Sequence, residues 1–481
     1  MYVASVGTNR CVVDPQAANP FWMSKREKSL LVKVLPFLLS IWILWLLGFK
    51  TEISPYGDEG GYHDGGVLLA NSLSAGTFIQ DAFNPDLFKY PGYYGLAGLI
   101  YYFFGEHQQL LRALGLLPFI GLALSLANIS ALIGGERARN ITLLLAVFSP
   151  TFFYFSLQLY RDIYIVLAIT LILHRLVAIT QLKLPYRDFF TYSVIFSFLL
   201  IILFRSAQAL LVLASVVTSL VLIKAESYSS RQRRWAYGIT FLVLGAMAWL
   251  AQDILNEIIQ ETFFRHFAIE DQYSIQHFSA LSQFTFTSAD EMTRAFLNPI
   301  FVIKALILKI TGFSLHSHPF AQSEGATSLF DLFGEYNPIS WGGYLWEDTL
   351  LIYGLQWVLH FLLLPYLVAG LFGLWRYNRK ALIALGTLWA TFAAVTLFTA
   401  NEIRWGLPGM LVYYTMVAVG VAWFSGRINQ ILLLSISMFI GVIAVRILFF
   451  PVPMILIPLV ILVLFWWWSP QPRCSTNANV S

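Results

Sequence analysis

Apolar residues in this sequence come in long runs of about 15 to 26, near the length a helix needs to cross a bilayer's hydrocarbon core, instead of alternating or returning on one helical face. Such runs lie at about 30 to 49, 110 to 133, 141 to 158, 163 to 180, 189 to 204, 207 to 223, 237 to 251, 349 to 374, 381 to 399, 407 to 425, 430 to 449 and 452 to 469. The pattern predicts an all-α integral membrane protein of about 12 transmembrane helices. A further stretch, Tyr93 to Phe104, is shorter and rich in Gly and Tyr, which reads as a helix lying in the membrane interface.

Composition agrees with the pattern. Of 481 residues, 58% are hydrophobic and 12% charged, against roughly 25% charged in a soluble domain. The net charge of +4 and the lack of a dense basic stripe argue against a nucleic-acid partner. Cys11 and Cys474 stand in polar tails at opposite chain ends and form neither a disulfide framework nor a metal motif. The first apolar run follows Lys25, Arg26 and Lys28 and lacks a small-residue cleavage site, so it reads as an uncleaved span.

Positive charge orients the chain, because Lys and Arg in short loops stay cytoplasmic. With the amino terminus inside, GGERARN, 181–188, KAESYSSRQRRW, RYNRK and GRIN all fall on the inner side. That side then holds about 19 of the 30 basic residues and about 5 of the 26 acids. The resulting organisation is a cytoplasmic tail over 1–29, a membrane core over 30–251 with its first outer loop at 50–109, a large outer loop at 252–348, membrane helices over 349–469 and a cytoplasmic tail over 470–481. No repeat of 20 to 50 residues and no matching halves occur, and acids are scarce within the spans, which weakens a transporter or ion-relay reading.

Candidate chemistry gathers on the outer side. YGDEGGYHDGG places Asp58, Glu59, His63 and Asp64 just beyond the first span, where they suit a divalent cation or a general base, or equally a solvated Gly-rich turn. Arg161 and Asp162 sit between two apolar runs at the same face, as a local ion pair or as part of a shared outer cavity with the first-loop acids. Arg205 and Arg404 run against the positive-inside bias. Snorkelling explains either one alone, whereas together with Lys89 they offer donors to a phosphate or carboxylate.

Taken in order along the chain, these residues resemble the GT-C superfamily of multi-spanning glycosyltransferases, the group of protein O-mannosyltransferases and aminoarabinose transferases. The resemblance rests on Asp58 and Glu59 followed by a short amphipathic helix ending at Gly76, and on the interfacial stretch with Lys89, Pro91, Gly105 and Arg112. It continues through Ser149 and Pro150 ahead of Asp162, and closes with Glu402, Arg404, Trp405 and Pro408. It covers residues 40 to about 210 best, and the loop 252–348 has no counterpart.

The resemblance implies an inverting transfer of a sugar from a polyprenyl-phosphate donor to a lipid, glycan or protein acceptor at the outer face of the plasma membrane. Asp58, with Glu59 as the competing candidate, would be the base, and Asp162 a further catalytic carboxylate. Lys89, Arg205, Arg404 and Glu402 would line the phosphate site. A divalent cation, Mg or Mn, would sit between Asp58 and Asp162 in branches that use one. A polysaccharide polymerase or O-antigen-ligase-like enzyme, and a flippase or transporter of lipid-linked sugar, are the competing readings.

Sidedness is open to direct test. In a variant freed of its two native cysteines, a Cys at Asp64 should react with a membrane-impermeant reagent in intact cells and a Cys at Arg137 should not. The opposite labelling pattern would overturn the shared outer face.

Overall fold

The computed structural model describes residues 19–21, 58–84, 91–238, 363–398 and 403–423, less a few positions within these ranges, and the regular elements among them are all helical. The spans expected at 30 to 49, 237 to 251, 430 to 449 and 452 to 469, most of that at 349 to 374, the loop 252–348, Lys89 and Glu402 lie outside the described residues.

The described part of the segment expected as the first outer loop is largely helical. α1 (Asp58–Ala75) ends at Gly76, whose φ of +77° suits glycine alone, and is followed by α2 (Phe78–Ala82). Thr77 Oγ1 donates to Asp81 at 2.7 Å across the turn, and hydrogen bonds from Ser72 and Thr77 hold the Asp81 carboxyl below the usual carboxylate range. α3 (Pro91–Phe104) starts on a proline and stops at Gly105. At 14 residues it spans about 21 Å, too short for a hydrocarbon core of about 30 Å. α1 lies along α3 through glycines: a methyl added at Gly66 would stand 2.8 Å from Ala97 Cβ, and one at Gly98 would stand 2.7 Å from Leu69 Cβ.

Then come α4 (Gln108–Leu114), α5 (Leu116–Val147), α6 (Pro150–Leu157), α7 (Asp162–Leu182), α8 (Tyr192–Ala225), α9 (Arg379–Phe398) and α10 (Ile403–Trp423). Among the described residues, three stretches are long and apolar enough to cross a membrane: Gln108–Val147, Asp162–Leu182 and Gln208–Ala225. Two of the helices are hairpins. A straight helix would put Ser130 and Thr142 about 18 Å apart, yet Thr142 Oγ1 donates to Ser130 Oγ at 2.6 Å, so α5 folds back at Gly135 (φ 78°, ψ −172°). α8 breaks at Arg205 (φ −166°, ψ 83°). Its start is held by Arg175 Nε donating to the Asp188 carbonyl at 2.7 Å, and its far part by the Ser219 and Thr387 hydroxyls. Both contacts lie toward the end of the bundle where Gln181 and Asn378 exchange side-chain hydrogen bonds at 2.7 and 3.3 Å. A chain that leaves and returns to one end has turned between, so Arg205 marks the far end of a hairpin.

α7 is the hub. It is flanked by α5, α8, α9 and α10, while α5 packs on α10, α10 on α9 and α9 on α8, an arc of helices around it. Most of its side chains are buried accordingly. Gly115, ahead of α5, abuts the Ser156 carbonyl near the end of α6, which puts the start of α7 at the opposite end from Gly135. The Gly135 end also holds Trp423, whose Nε1 lies 3.7 Å from a methyl placed on Gly134, and Tyr377, whose ring meets Trp423 at 6.2 Å. Arg137, Arg139, Lys183, Arg187, Arg376, Arg379 and Lys380 cluster toward that end, against Glu136 and Asp188. Residues read as tail pack along the middle of the first arm of α5: Asn128 Nδ2 donates to the Pro20 and Asn19 carbonyls at 2.7 and 3.1 Å, and Phe21 Cε1 lies 3.5 Å from a methyl placed on Gly121.

A row of large apolar side chains is exposed along α8, namely Ile195, Phe196, Leu199 and Leu203 before the break and Leu210, Leu213 and Val217 after it. Such a surface suits lipid better than water. The expected third apolar run, 141 to 158, is two helices, interrupted at Phe148 and Ser149 where Pro150 begins α6.

The α5 turn rests on backbone conformation alone. Gly135 occupies a region open essentially to glycine, and nothing lies within 4 Å of an added Cβ. Gly135→Ala should therefore cost about 1 to 3 kcal/mol. Gly386→Ala, equally open but inside α9, should be neutral or stabilising. Unfolding midpoints in detergent would separate the two, and equal midpoints would refute the strain argument.

Candidate functional site

The head of α7 carries an unusual concentration of charge. Asp162, its first residue, is only 2% exposed, a placement favoured by the positive end of the helix dipole. Arg205, at the α8 break, donates from Nη1 to Asp162 Oδ1 at 3.3 Å, with both side chains buried. The non-helical residue in α8 is thus the one that meets α7. Asp162 Oδ2 has no hydrogen-bond partner among the described residues.

Arg161 reaches the other way. Its Cζ lies 5.5 Å from the ring centroid of Tyr62 in α1, a cation–π contact that joins the first outer loop to the bundle. Behind it stands an aromatic wall. Tyr62 meets Tyr93 at 5.0 Å and Tyr94 at 5.2 Å, Tyr93 meets Tyr164 at 5.9 Å and Phe204 at 6.0 Å, and Tyr164 meets Phe204 at 5.8 Å. Gly92 permits this approach, since any side chain there would run into Phe204. One residue on from Tyr62, His63 Nδ1 and the Tyr101 hydroxyl share a hydrogen bond of 3.0 Å that locks α1 to α3. Among the described side chains, two guanidiniums and one carboxylate meet at this point, a donor set that suits an anion.

Of the residues expected at the site, Asp162 and Arg205 are brought together. Asp58 and Glu59 open α1, with Asp58 one helical turn ahead of Tyr62; their side chains, and that of Arg404, are outside the described set. Arg404 falls in the first turn of α10, and since α10 ends at Trp423 beside Gly134, that first turn belongs to the Asp162 end. Lys89 and Glu402 are outside the described residues. No group of three or more His, Cys, Asp or Glu that would hold a metal occurs among the described residues.

Ser149 and Pro150 have a structural part. Ser149 Oγ accepts from the Phe152 backbone N–H at 3.3 Å and from the Tyr414 hydroxyl at 3.0 Å, so it caps α6 and ties it to α10. The sequence displayed the Arg161–Asp162 pair but not its partners. Tyr62, Tyr93 and Phe204 are three of many aromatics, and nothing local sets them apart.

No protein-family model, curated protein or solved structure matches the chain.

The Asp162–Arg205 pair should be energetically one unit. Arg205→Met alone leaves a buried carboxylate beside an apolar side chain and should destabilise by about 3 to 5 kcal/mol, while adding Asp162→Asn should recover much of the loss. Chemical unfolding of the three variants would measure this; a double variant as unstable as the sum of the singles would show the two residues to be independent.

Proposed function

We propose that the protein is a GT-C-type glycosyltransferase that moves a sugar from a polyprenyl-phosphate donor to a lipid, glycan or protein acceptor at the outer face of the plasma membrane. The carrying observation is the buried Arg161–Asp162–Arg205 group at the head of α7, in contact through Tyr62 with the helix that opens on Asp58 and Glu59. It lies at the end of the bundle opposite the basic cluster. The positive-inside bias then puts the basic end in the cytoplasm and the cationic, ring-walled end outside.

The reaction needs three things from the chain. Asp58, or Glu59 in its stead, takes the proton of the acceptor hydroxyl as that oxygen bonds to the anomeric carbon. The bond from the anomeric carbon to the phosphate oxygen breaks on the opposite face, inverting the centre, and its electron pair stays on the lipid phosphate. Arg205 and Arg161, with Lys89 and Arg404, neutralise that growing charge. The exposed apolar row on α8 offers a surface for the polyprenyl tail at bilayer depth.

A divalent cation would have to be held by Asp58 and Asp162. Asp162 already gives one oxygen to Arg205 and neighbours Arg161, a donor set that fits an anion better than a cation, so no step is routed through a metal.

The test is transfer by the purified protein in liposomes, with polyprenyl-phosphate sugars chosen from the lipid-linked glycans that accumulate in a deletion strain. Asp58→Asn should abolish turnover while inserting normally, because it keeps size and removes the charge a base requires; Glu59→Gln should cost less. A near-wild-type rate for Asp58→Asn would remove Asp58 as the base. Loss of activity from substitutions confined to 252–348 would favour the polymerase reading, and movement of lipid-linked sugar across the liposome without transfer would favour the transporter.

A further inference from the structure

We propose that Asp162 is a positioning residue for Arg205, acting neither as base nor as metal ligand: its Oδ1 holds the guanidinium where an anionic ligand is bound. This rests on the lipid-phosphate donor of the proposed function and assigns a specific task within that site.

Three observations support it. Arg205 stands at the single non-helical position of α8, so neither flanking half fixes the direction of its long side chain by helical packing. Asp162 is the opposite case, anchored as the first residue of the hub helix and almost wholly buried. The 3.3 Å bond between them therefore ties the arginine to a fixed point of the hub helix. Finally, the charged neighbour of Asp162 on its own helix end is Arg161, which faces Tyr62. Among the described side chains, the charged groups beside this carboxylate are thus arginines, which disfavours a metal ion there.

The proposal makes a prediction whose sign runs against simple electrostatics. Removing a negative charge next to a bound anion should strengthen binding by Coulomb's law. If Asp162 works through Arg205, removing it should weaken binding, because the guanidinium loses its orientation.

The experiment measures binding of a polyprenyl monophosphate to the purified full-length protein in detergent, with the uncharged polyprenol as control. Wild type should prefer the phosphate. Arg205→Ala should weaken phosphate binding by about tenfold or more, and Asp162→Asn by a similar factor. In the Arg205→Ala background the sign should reverse: Asp162→Asn should then leave affinity unchanged or raise it, since only repulsion remains to be lost. That reversal is something a merely structural role would not produce. Asp162→Glu covers the case in which the Asn variant does not fold. It keeps the charge and moves it by one methylene, so weakened phosphate binding supports positioning and wild-type binding overturns it. Affinity equal to or above wild type in Asp162→Asn with Arg205 intact likewise overturns the proposal while the donor reading stands. Absence of any preference for phosphate over alcohol in the wild type would remove the anion site, and the donor reading with it.

Discussion

A carboxylate and a guanidinium removed from water at the head of a central helix constrain much of what surrounds them. The desolvation penalty for such a pair is several kcal/mol per ion, and their attraction repays it only when geometry is held on both sides. Here one side is the first turn of α7, fixed by the arc of α5, α10, α9 and α8, and the other is the break in α8. The break has a clear rationale in this light. A continuous helix through Arg205 would carry the chain some 50 Å in one direction, whereas the turn returns it to α9 and leaves the arginine at the bundle end with its partner.

Local signals were legible in the sequence, and distant ones were not. Gly76 and Gly105 end α1 and α3, and Pro91 begins α3, because the φ preferences of glycine and proline act within one or two residues. The apolar runs separated by GGERARN and by Arg205 likewise appear as the two arms of a hairpin, since run length is a property of the chain itself. The interruption at Ser149 was less visible: the surrounding residues are uniformly apolar, and the cap draws on Tyr414, 265 positions away. The Tyr62 contact of Arg161 is of the same kind, joining residues about 100 apart in sequence through rings that no composition rule singles out. Asp162 was expected as a catalytic carboxylate or metal ligand because charge type is readable and pairing is not. Its oxygen is partnered by an arginine that the sequence assigned independently to phosphate.

The first outer loop shows how such a site is kept in place beyond the bundle. α1 and α3 have little in common with a flexible surface loop: Gly66 and Gly98 let their backbones approach, and the bond between His63 and Tyr101 fixes their register. α3 in turn rests on α8 where Gly92 accepts Phe204, the residue directly before Arg205. The helix that opens on Asp58 is therefore referenced to the same break that carries the arginine, through two glycine contacts and a wall of rings. Sites carried on helices in this way hold geometry better than sites on loops.

The arrangement also bears on the transfer reaction proposed above. In that reading a carboxylate base and a leaving phosphate would repel each other unless positive charge lay between them, and the cost of that repulsion would grow as water is excluded. Arg161, pinned by Tyr62 from α1, and Arg205, pinned by Asp162 from α7, stand on the path from the α1 helix to the bundle. Among the described side chains each of the two arginines thus meets a different partner. The Tyr62 ring contributes without adding charge, because its face stabilises the Arg161 guanidinium. Exchanging Asp162 for a neutral residue would raise the local positive charge and at the same time release the arginine that makes it useful, so orientation and net charge are opposed at this one position, and the buried pair favours orientation.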